Sequence, residues 1–204
     1  MRRFGVLQEV KQGFILILSA PSGAGKTSIS NGLLQKKPEI VRSISVTTRP
    51  RALEEQHGVD YFFVSRVEFE RGIAQGEFAE WAEIYGYLYG TRIRTIMEAL
   101  RTKKILLLEI DVKGAEQIKR SFPDSVAIFI VPPSLDVLEE RLRKRGRDSE
   151  EEIQKRLKRI PQELSTAHRY DYIVVNEDLN DAIGRVEAIV IAETCRTHRL
   201  PFKP

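Results

Sequence analysis

The sequence is poor in cysteine and has no hydrophobic run long enough to span a membrane. Cys195 is its single cysteine among 204 residues, so no internal disulfide can form, and this usage is typical of the reducing cytoplasm. The apolar run Phe14–Ala20 has only seven residues, whereas a membrane span needs roughly 20. Polar residues separate Arg2 and Arg3 from that run, which disfavours a secretory signal. We therefore expect a cytoplasmic protein with no membrane partner.

The composition lacks the bias of a disordered or fibrous protein. Hydrophobic residues make up 42% and charged residues 30%, which is typical of a globular domain. The net charge of +4 is concentrated in one segment: residues 141–160 contain nine basic and four acidic residues, whereas the rest contains 24 and 25. That segment has no aromatic residue on which a base can stack. The charge pattern therefore disfavours nucleic acid as a partner.

Four uninterrupted apolar runs predict strands that are buried on both faces, since none alternates with polar residues. These runs are Ile15–Leu18, Ile105–Leu108, Val126–Val131 and Tyr172–Val175, with Val41–Val46 as a weaker fifth candidate. The expected helices between them are Thr27–Gln35, Ile93–Leu100, Val112–Arg120, Ser134–Arg143 and Leu179–Glu193. Strands that alternate with helices predict an α/β fold with a parallel sheet flanked by helices, and the length fits one domain over residues 1–204.

The interval Arg49–Gly90 interrupts this alternation and is predicted to be an inserted subdomain. Its expected elements are a strand over Tyr61–Val64, a helix over Val67–Ile73 and a strand over Phe78–Tyr85. Apolar residues at helical spacing from Ile153 to Ala167 predict a further helix. Because Pro161 removes a backbone donor, we expect it to kink or divide that helix.

A glycine-rich loop follows the first apolar run. Residues 19–27 read Ser-Ala-Pro-Ser-Gly-Ala-Gly-Lys-Thr and open a predicted helix, which is the context of a Walker A phosphate loop. Small residues allow consecutive N–H groups to turn toward phosphate oxygens, and the helix N-terminus adds a favourable dipole. Lys26 can reach the terminal phosphates and Thr27 can ligate Mg²⁺. Ala20 departs from the pattern, since glycine is usual there.

Two carboxylates, Glu109 and Asp111, follow the run Ile105–Leu108. The carboxyl ends of parallel strands form the ligand edge of such a sheet, where a carboxylate can hold Mg²⁺ through water. Asp111 fits equally well as the N-cap of the next helix, and the two roles are compatible.

Several motifs, in order along the chain, resemble the guanylate kinase family of bacterial type. They are residues 19–27, Ser45-Val46-Thr47-Thr48-Arg49, His57-Gly58-Val59-Asp60-Tyr61, Glu77-Phe78-Ala79-Glu80-Trp81, Gly86–Gly90, and Arg141–Arg145 with Arg156. The resemblance extends from about residue 14 to residue 198 and is more specific than the phosphate loop alone. It implies a P-loop nucleoside monophosphate kinase that uses Mg²⁺ to transfer the γ-phosphate of ATP to GMP in guanine nucleotide biosynthesis and recycling. It also implies that dGMP is accepted.

The resemblance also implies three parts within the single domain. These are a core with the ATP site over residues 13–42 and 92–204, a GMP-binding subdomain over residues 43–91 and a lid over residues 141–160. A homo-oligomer is compatible with the sequence.

The resemblance assigns roles to individual residues. The ATP-binding residues are Ala20, Pro21, Ser22, Gly23, Ala24, Gly25, Lys26 and Thr27, with Asn176 beside the adenine. Ser45, Glu80 and Thr91 face the guanine, Arg49, Arg51, Tyr61 and Tyr89 hold the GMP phosphate, and Glu109 lies near them. The implied metal ligands are Thr27 and Asp111, and the implied catalytic cations are Lys26, Arg49, Arg141, Arg145 and Arg156.

The sequence differs from the family pattern at three positions. One residue, Pro50, separates Arg49 from Arg51, where two are usual. Glu109 replaces the more common aspartate. Leu88 replaces a usual tyrosine, which leaves Tyr89 as the tyrosine that matches the phosphate contact.

The chemistry of guanine agrees with the implied set. A carboxylate at Glu80 can accept from both the ring N–H and the exocyclic amino group of guanine, whereas adenine presents a ring acceptor to the same anion. A buried polar group left unpaired costs about 1–3 kcal/mol, and more when it is charged. Hydroxyls of Ser45 and Thr91 can donate to the guanine carbonyl, which adenine lacks.

Alternative interpretations remain at this point. Glu80 fits a solvated strand carboxylate, and Tyr61 and Tyr89 fit the core of the subdomain. The whole chain fits a non-catalytic module that binds phosphorylated partners, although Lys26 and Thr27 favour catalysis. A related kinase for another small phosphorylated substrate is the remaining candidate, which Glu80 disfavours.

Overall fold

The structure is a computed structural model that describes residues 12–144 and 149–200. In chain order, its strands and helices are β1 (Ile15–Ser19), α1 (Lys26–Lys36), β2 (Ile40–Arg42), β3 (Val46–Thr47), β4 (Phe62–Phe63), α2 (Arg66–Ala74), β5 (Phe78–Ile84), β6 (Tyr87–Arg92), α3 (Ile93–Arg101), β7 (Ile105–Glu109), α4 (Val112–Ser121), β8 (Val126–Val131), α5 (Leu135–Lys144), α6 (Glu150–Leu164), β9 (Tyr172–Val175) and α7 (Leu179–Thr194). Within these described ranges the larger sheet has five strands in the order β2-β7-β1-β8-β9, and all its neighbouring strands are parallel. The α/β fold with a parallel sheet is confirmed.

The four apolar runs form strands β1, β7, β8 and β9, as predicted. The weaker candidate Val41–Val46 is wrong as one strand, because the chain divides there between two sheets. β2 ends at Arg42 and pairs with β7, whereas β3 starts at Val46 and pairs with β6. The intervening residues lead from the larger sheet to the smaller one.

Both faces of the larger sheet are covered by helices, and this explains why its strands lack polar alternation. Leu16 and Leu18 of β1 pack with α1 and α7, whereas Ile15 and Ile17 pack with α3 and α4. Adjacent side chains of a strand point to opposite faces, so a continuous apolar run serves both cores. Within the described part of the chain, no helix has the length and apolar character needed to cross a membrane.

The smaller sheet belongs to the inserted segment and has the order β4-β3-β6-β5 in the described residues. Its own core contains Val46, Phe69 and Leu88, and the rings of Phe69 and Phe78 are stacked with centroids 4.3 Å apart. Leu88 therefore supports this core as a buried apolar residue. α2 begins at a capping box in which the side chain of Ser65 accepts from the backbone N–H of Glu68.

The predicted lid, residues 141–160, overlaps the end of α5 and most of α6. The helix is not divided at Pro161, because α6 continues through Pro161 to Leu164. Pro161 lies in the last turn and removes one intrahelical bond, and buried Ile153 and Ile160 hold the helix against its neighbours despite that loss. α6 also begins at a capping box, formed by Ser149 and Glu152.

Candidate active site

A cleft of about 1420 Å³ lies at the carboxyl end of the larger sheet and extends to the smaller sheet and the lid. Its lining includes Ser22, Lys26, Thr27, Ser45, Tyr61, Glu80, Tyr89, Glu109, Asp111, Arg141, Arg156 and Asn176. The structure therefore brings together residues that the sequence places more than 100 positions apart. The lining contains both cations and carboxylates, as a site for a nucleotide pair requires.

The predicted phosphate loop connects β1 to the N-terminus of α1. Gly25 is the N-cap of α1 and has a φ of 95°, a left-handed conformation that glycine adopts without steric cost. A Cβ atom at Gly25 would also overlap Nδ2 of Asn176. The loop packs on the lid, because buried Ala24 contacts Leu138 and Ile160. The local geometry matches a phosphate-binding loop at a helix N-terminus.

Lys26 lies at the start of α1, directly beside the end of β7. Its Nζ donates to the carbonyl of Ile110 at 3.3 Å. Burial lowers the pKa of Lys26, and the carboxylates of Glu109 and Asp111 oppose that shift. An ammonium group in this position is available to a phosphate chain that enters the cleft.

Asp111 and Glu109 have different environments in the structure. Asp111 is the N-cap of α4 and its Oδ1 accepts from the backbone N–H of Gly114 at 2.8 Å, so the capping interpretation is confirmed. Glu109 forms an ion pair with Nε of Arg42 at 3.0 Å and accepts from Oγ of Ser30 at 2.6 Å. These contacts join Glu109 to α1 and β2, and Glu109 also lines the cleft.

A buried carboxylate and a buried hydroxyl lie side by side on the smaller sheet. Glu80 on β5 is paired in register with Thr91 on β6, and the two residues are 3% and 0% exposed. Burial raises the pKa of Glu80 to about 7, and the nearby carboxylate of Asp111 adds to this shift. The hydroxyl of Thr91 is buried beside this carboxylate, and hydrogen bonding from Thr91 opposes the rise in the pKa of Glu80. Buried polar groups of this kind indicate a ligand site, because each needs a partner.

The predicted phosphate contacts lie on the same subdomain. Arg49 donates from Nη2 to Oε1 of Glu55 at 2.5 Å, and its guanidinium lies 5.5 Å from the ring centroid of Tyr61. The rings of Tyr61 and Tyr89 meet edge to face at 6.0 Å. Arg51 is exposed and donates to the backbone oxygen of Glu55 at 3.0 Å. Tyr61 and Tyr89 line the cleft, whereas neither arginine is among its lining residues.

Two arginines of the predicted lid reach the phosphate-loop side of the cleft. Arg141 donates from Nη1 to the carbonyl of Asn176 at 3.0 Å, and Arg156 donates from Nη1 to Oγ of Ser22 at 2.5 Å. Arg145 lies outside the described residues. Asn176 itself donates from Nδ2 to the carbonyl of Ala24 at 2.7 Å, and its buried Oδ1 has no partner in the described part of the chain.

The sequence interpretation missed two residues that the structure places at the site. Glu55 anchors Arg49, and its Oε2 also accepts from the N–H of Ala52 at 2.9 Å. Glu163 on α6 lines the cleft, and burial raises its pKa. The sequence does carry a signal for Glu55, because an acidic residue within six positions of two loop arginines can be expected to pair with one of them. Nothing in the sequence around Glu163 indicates that it lines the cleft.

The fold and the cleft define a class of protein. A parallel sheet with a phosphate loop after its central strand, and a buried carboxylate on an inserted subdomain across the cleft, are the features of a P-loop nucleotide kinase.

Comparisons with known proteins identify the family within this class. The sequence model of the guanylate kinase family matches residues 12–193. The guanylate kinase of Carboxydothermus hydrogenoformans is 43% identical and covers 94% of this chain and 94% of its own length; that of Myxococcus xanthus is 46% identical and covers 92% and 90%. A crystal structure of guanylate kinase from Anaplasma phagocytophilum matches with a TM-score of 0.78 and 36% identity, over 95% of this chain and 92% of that chain. The chain belongs to the guanylate kinase family.

Proposed function

We propose that this chain transfers the γ-phosphoryl group of ATP to GMP, giving ADP and GDP, with the residues assigned below. The observation that carries this proposal is the buried carboxylate of Glu80 beside the buried hydroxyl of Thr91, in the same region as a phosphate loop. The pair offers an acceptor and a donor to a base, and the loop offers donors to a phosphate chain.

The ATP side is formed by the loop Ala20–Gly25 with Lys26 and Thr27. Loop N–H groups and the N-terminus of α1 bind phosphate oxygens, and Lys26 binds the terminal phosphates as a point charge. The unpartnered Oδ1 of Asn176 is available to accept from the exocyclic amino group of adenine, while its Nδ2 stays on the loop. This arrangement connects base binding with the position of the phosphate loop.

The donor set of the ATP side fits Mg²⁺. Thr27 contributes a hydroxyl oxygen at the exposed start of α1, and Asp111 contributes a carboxylate whose Oδ1 is already fixed by the helix cap. No group of three or more acidic, histidine or cysteine residues suited to a metal occurs in the described residues, so substrate phosphates and water complete the coordination. When bound, Mg²⁺ neutralises charge on the phosphate oxygens.

The GMP side is formed by the smaller sheet. Glu80 accepts from the ring N–H and amino group of guanine, and Ser45 and Thr91 donate to its carbonyl. Arg49, Tyr61, Tyr89 and Arg51 bind the phosphate, with Arg49 held in place by Glu55. Because none of these assigned contacts involves the ribose 2′-hydroxyl of GMP, we expect dGMP to be accepted as well.

The lid supplies cations where the two phosphates meet. Phosphoryl transfer requires in-line positions of the two nucleotides and neutralisation of the developing charge. Arg156 approaches the phosphate loop through Ser22, and Arg141 approaches the adenine side through Asn176. A closed lid also excludes water, which otherwise competes with GMP as the acceptor.

An assay of ADP release with GMP, dGMP, AMP, CMP and UMP at equal concentration tests the proposal. We expect turnover with GMP and dGMP only. Glu80→Gln keeps the shape of the side chain but replaces one acceptor oxygen with a donor, and should reduce selectivity for GMP by about 100-fold. Equal turnover with AMP would overturn the assignment of the guanine site. Binding of GMP without turnover would instead indicate a non-catalytic module.

A further inference from the structure

The hairpin between β5 and β6 has an unusual residue at its tip. Ile84 and Tyr87 form the last pair of the hairpin, so Tyr85 and Gly86 are the two turn residues. Their φ angles are 51° and 82°, as in a type I′ turn. Glycine, asparagine and aspartate are the usual residues at the first of these positions, whereas a bulky side chain is strained there. Backbone strain of this kind persists where the side chain has a function.

The side chain of Tyr85 extends into the cleft and contacts the lid. The guanidinium groups of Arg156 and Arg159 lie 5.2 and 4.9 Å from the centroid of its ring. The two arginines are three positions apart on α6 and therefore share a face of the helix. Cation–π contacts of this length attract both guanidinium groups to one ring.

Arg156 extends the connection to the phosphate loop. Its Nη1 donates to Oγ of Ser22, a loop residue that lines the same cleft. Tyr85, Arg156 and Ser22 thus connect the tip of the smaller sheet, the lid helix and the ATP side of the site. The hairpin tip joins the strands that carry Glu80 and Tyr89, so these contacts connect the smaller sheet with the phosphate loop.

We propose that Tyr85 is a positioning residue for phosphoryl transfer, and this rests on the function proposed above. Its ring holds Arg156 and Arg159 across the cleft, and thereby keeps Arg156 at the phosphate loop when the subdomain and the lid close. The ring contacts of Tyr85 in the described residues are with Arg156 and Arg159, so we expect its loss to change kcat rather than KM for GMP.

Three substitutions test the role of the ring. Tyr85→Asn removes it and places a residue that suits positive φ, so the hairpin should keep its fold and its Tm. Tyr85→Phe keeps the ring, and Tyr87→Asn removes an exposed tyrosine from the same hairpin as the matched control. We expect Tyr85→Asn to lower kcat about threefold to tenfold, with KM for GMP within about twofold, whereas the other two variants stay within about twofold of the parent.

A double-mutant cycle with Arg156→Ala tests whether Tyr85 acts through Arg156. If it does, adding Tyr85→Asn to Arg156→Ala changes kcat by less than about twofold. An equal loss of kcat in both backgrounds overturns the proposal, as does a Tyr85→Asn variant with parental kcat or with a Tm more than about 5 °C lower. Absence of GMP-dependent ADP release in the parent protein would instead refute the proposed function, so the two failures are distinguishable.

Discussion

The carboxylate of Glu80 lies against the backbone of Gly114, and a Cβ atom at position 114 would be 2.5 Å from Oε2 of Glu80. Gly114 is in the first turn of α4, where its N–H binds Oδ1 of Asp111. The same point of α4 therefore contacts both the predicted guanine carboxylate and the predicted metal ligand. A side chain at position 114 cannot be accommodated without moving one of the two carboxylates.

We expect Gly114→Ala to raise KM for GMP about tenfold or more, with a smaller effect on KM for ATP, because a displaced Glu80 no longer meets the guanine edge. Steady-state kinetics with each substrate varied in turn measure both constants. Gly184→Ala is the matched control, since it adds a methyl group to the interior of α7 where nothing lies within 4 Å. Equal changes in the two KM values would place Glu80 outside the guanine site.

The pKa of Glu80, about 7 in the free protein, predicts that GMP binding depends on pH. Only the ionised carboxylate accepts from the guanine N–H groups, so KM for GMP should rise about tenfold between about pH 8 and pH 6 as Glu80 gains a proton. The phosphate of GMP also titrates near pH 6. Glu80→Gln keeps that phosphate titration and serves as the control, with a higher but flatter KM profile. If KM for GMP changed with pH in parallel in the parent and in Glu80→Gln, ionisation of Glu80 in this range would be contradicted.

The same pKa has a consequence for stability. Burial raises the pKa of Glu80 above its ordinary value of 4.5, so the folded state binds the proton more tightly than the unfolded state. The free energy of unfolding should therefore fall as pH rises from about 4.5 to about 7 through this group. Glu80→Gln should raise Tm relative to the parent at about pH 8 and lose this advantage at about pH 5. A constant difference in Tm across this range would show that the carboxylate is ionised without cost.

Glu55 is expected to act through Arg49. The ion pair between them fixes a guanidinium beside Tyr61, and Glu55 also holds Arg51 through its backbone oxygen. Glu55→Gln should raise KM for GMP about threefold to tenfold without changing KM for ATP, because Arg49 loses its charged anchor. Steady-state kinetics of Glu55→Gln and the parent at low and high salt measure KM for GMP and KM for ATP. A lower KM for GMP would show that Glu55 competes with the substrate phosphate.

The strands of the larger sheet were predictable because burial on both faces leaves a continuous apolar run, as in β8 at Val126–Val131. The smaller sheet was harder to predict. β6 contains Gly90 and only one fully buried apolar side chain, Leu88, and its place between β3 and β5 depends on pairing with distant strands. Pro161 was misleading because the packing of Ile153 and Ile160, which the sequence alone does not show, keeps α6 continuous past the missing backbone donor.

The candidate site, like the fold, has a part that the sequence predicts and a part that depends on tertiary contacts. The loop at residues 19–27 is local in sequence, and its geometry at Gly25 follows from residue type. The contacts of Glu109 with Arg42 and of Tyr85 with Arg156 join residues 67 and 71 positions apart, so only the folded chain shows them. Local motifs predicted a set of candidate site residues, and tertiary contacts determine which of their atoms are available to a ligand.

Lys26 provides the most direct test of the phosphate loop. Its Nζ lies against the carbonyl of Ile110, between the start of α1 and the carboxylates of Glu109 and Asp111. We expect Lys26→Ala to reduce kcat about 100-fold or more, because a preorganised cation at the transferring phosphate is lost. Calorimetric affinity for GMP should stay within about twofold, since the guanine and GMP phosphate contacts lie on the smaller sheet. Substantial residual turnover, or a parallel loss of GMP affinity, would contradict the assignment of Lys26 to the ATP phosphates.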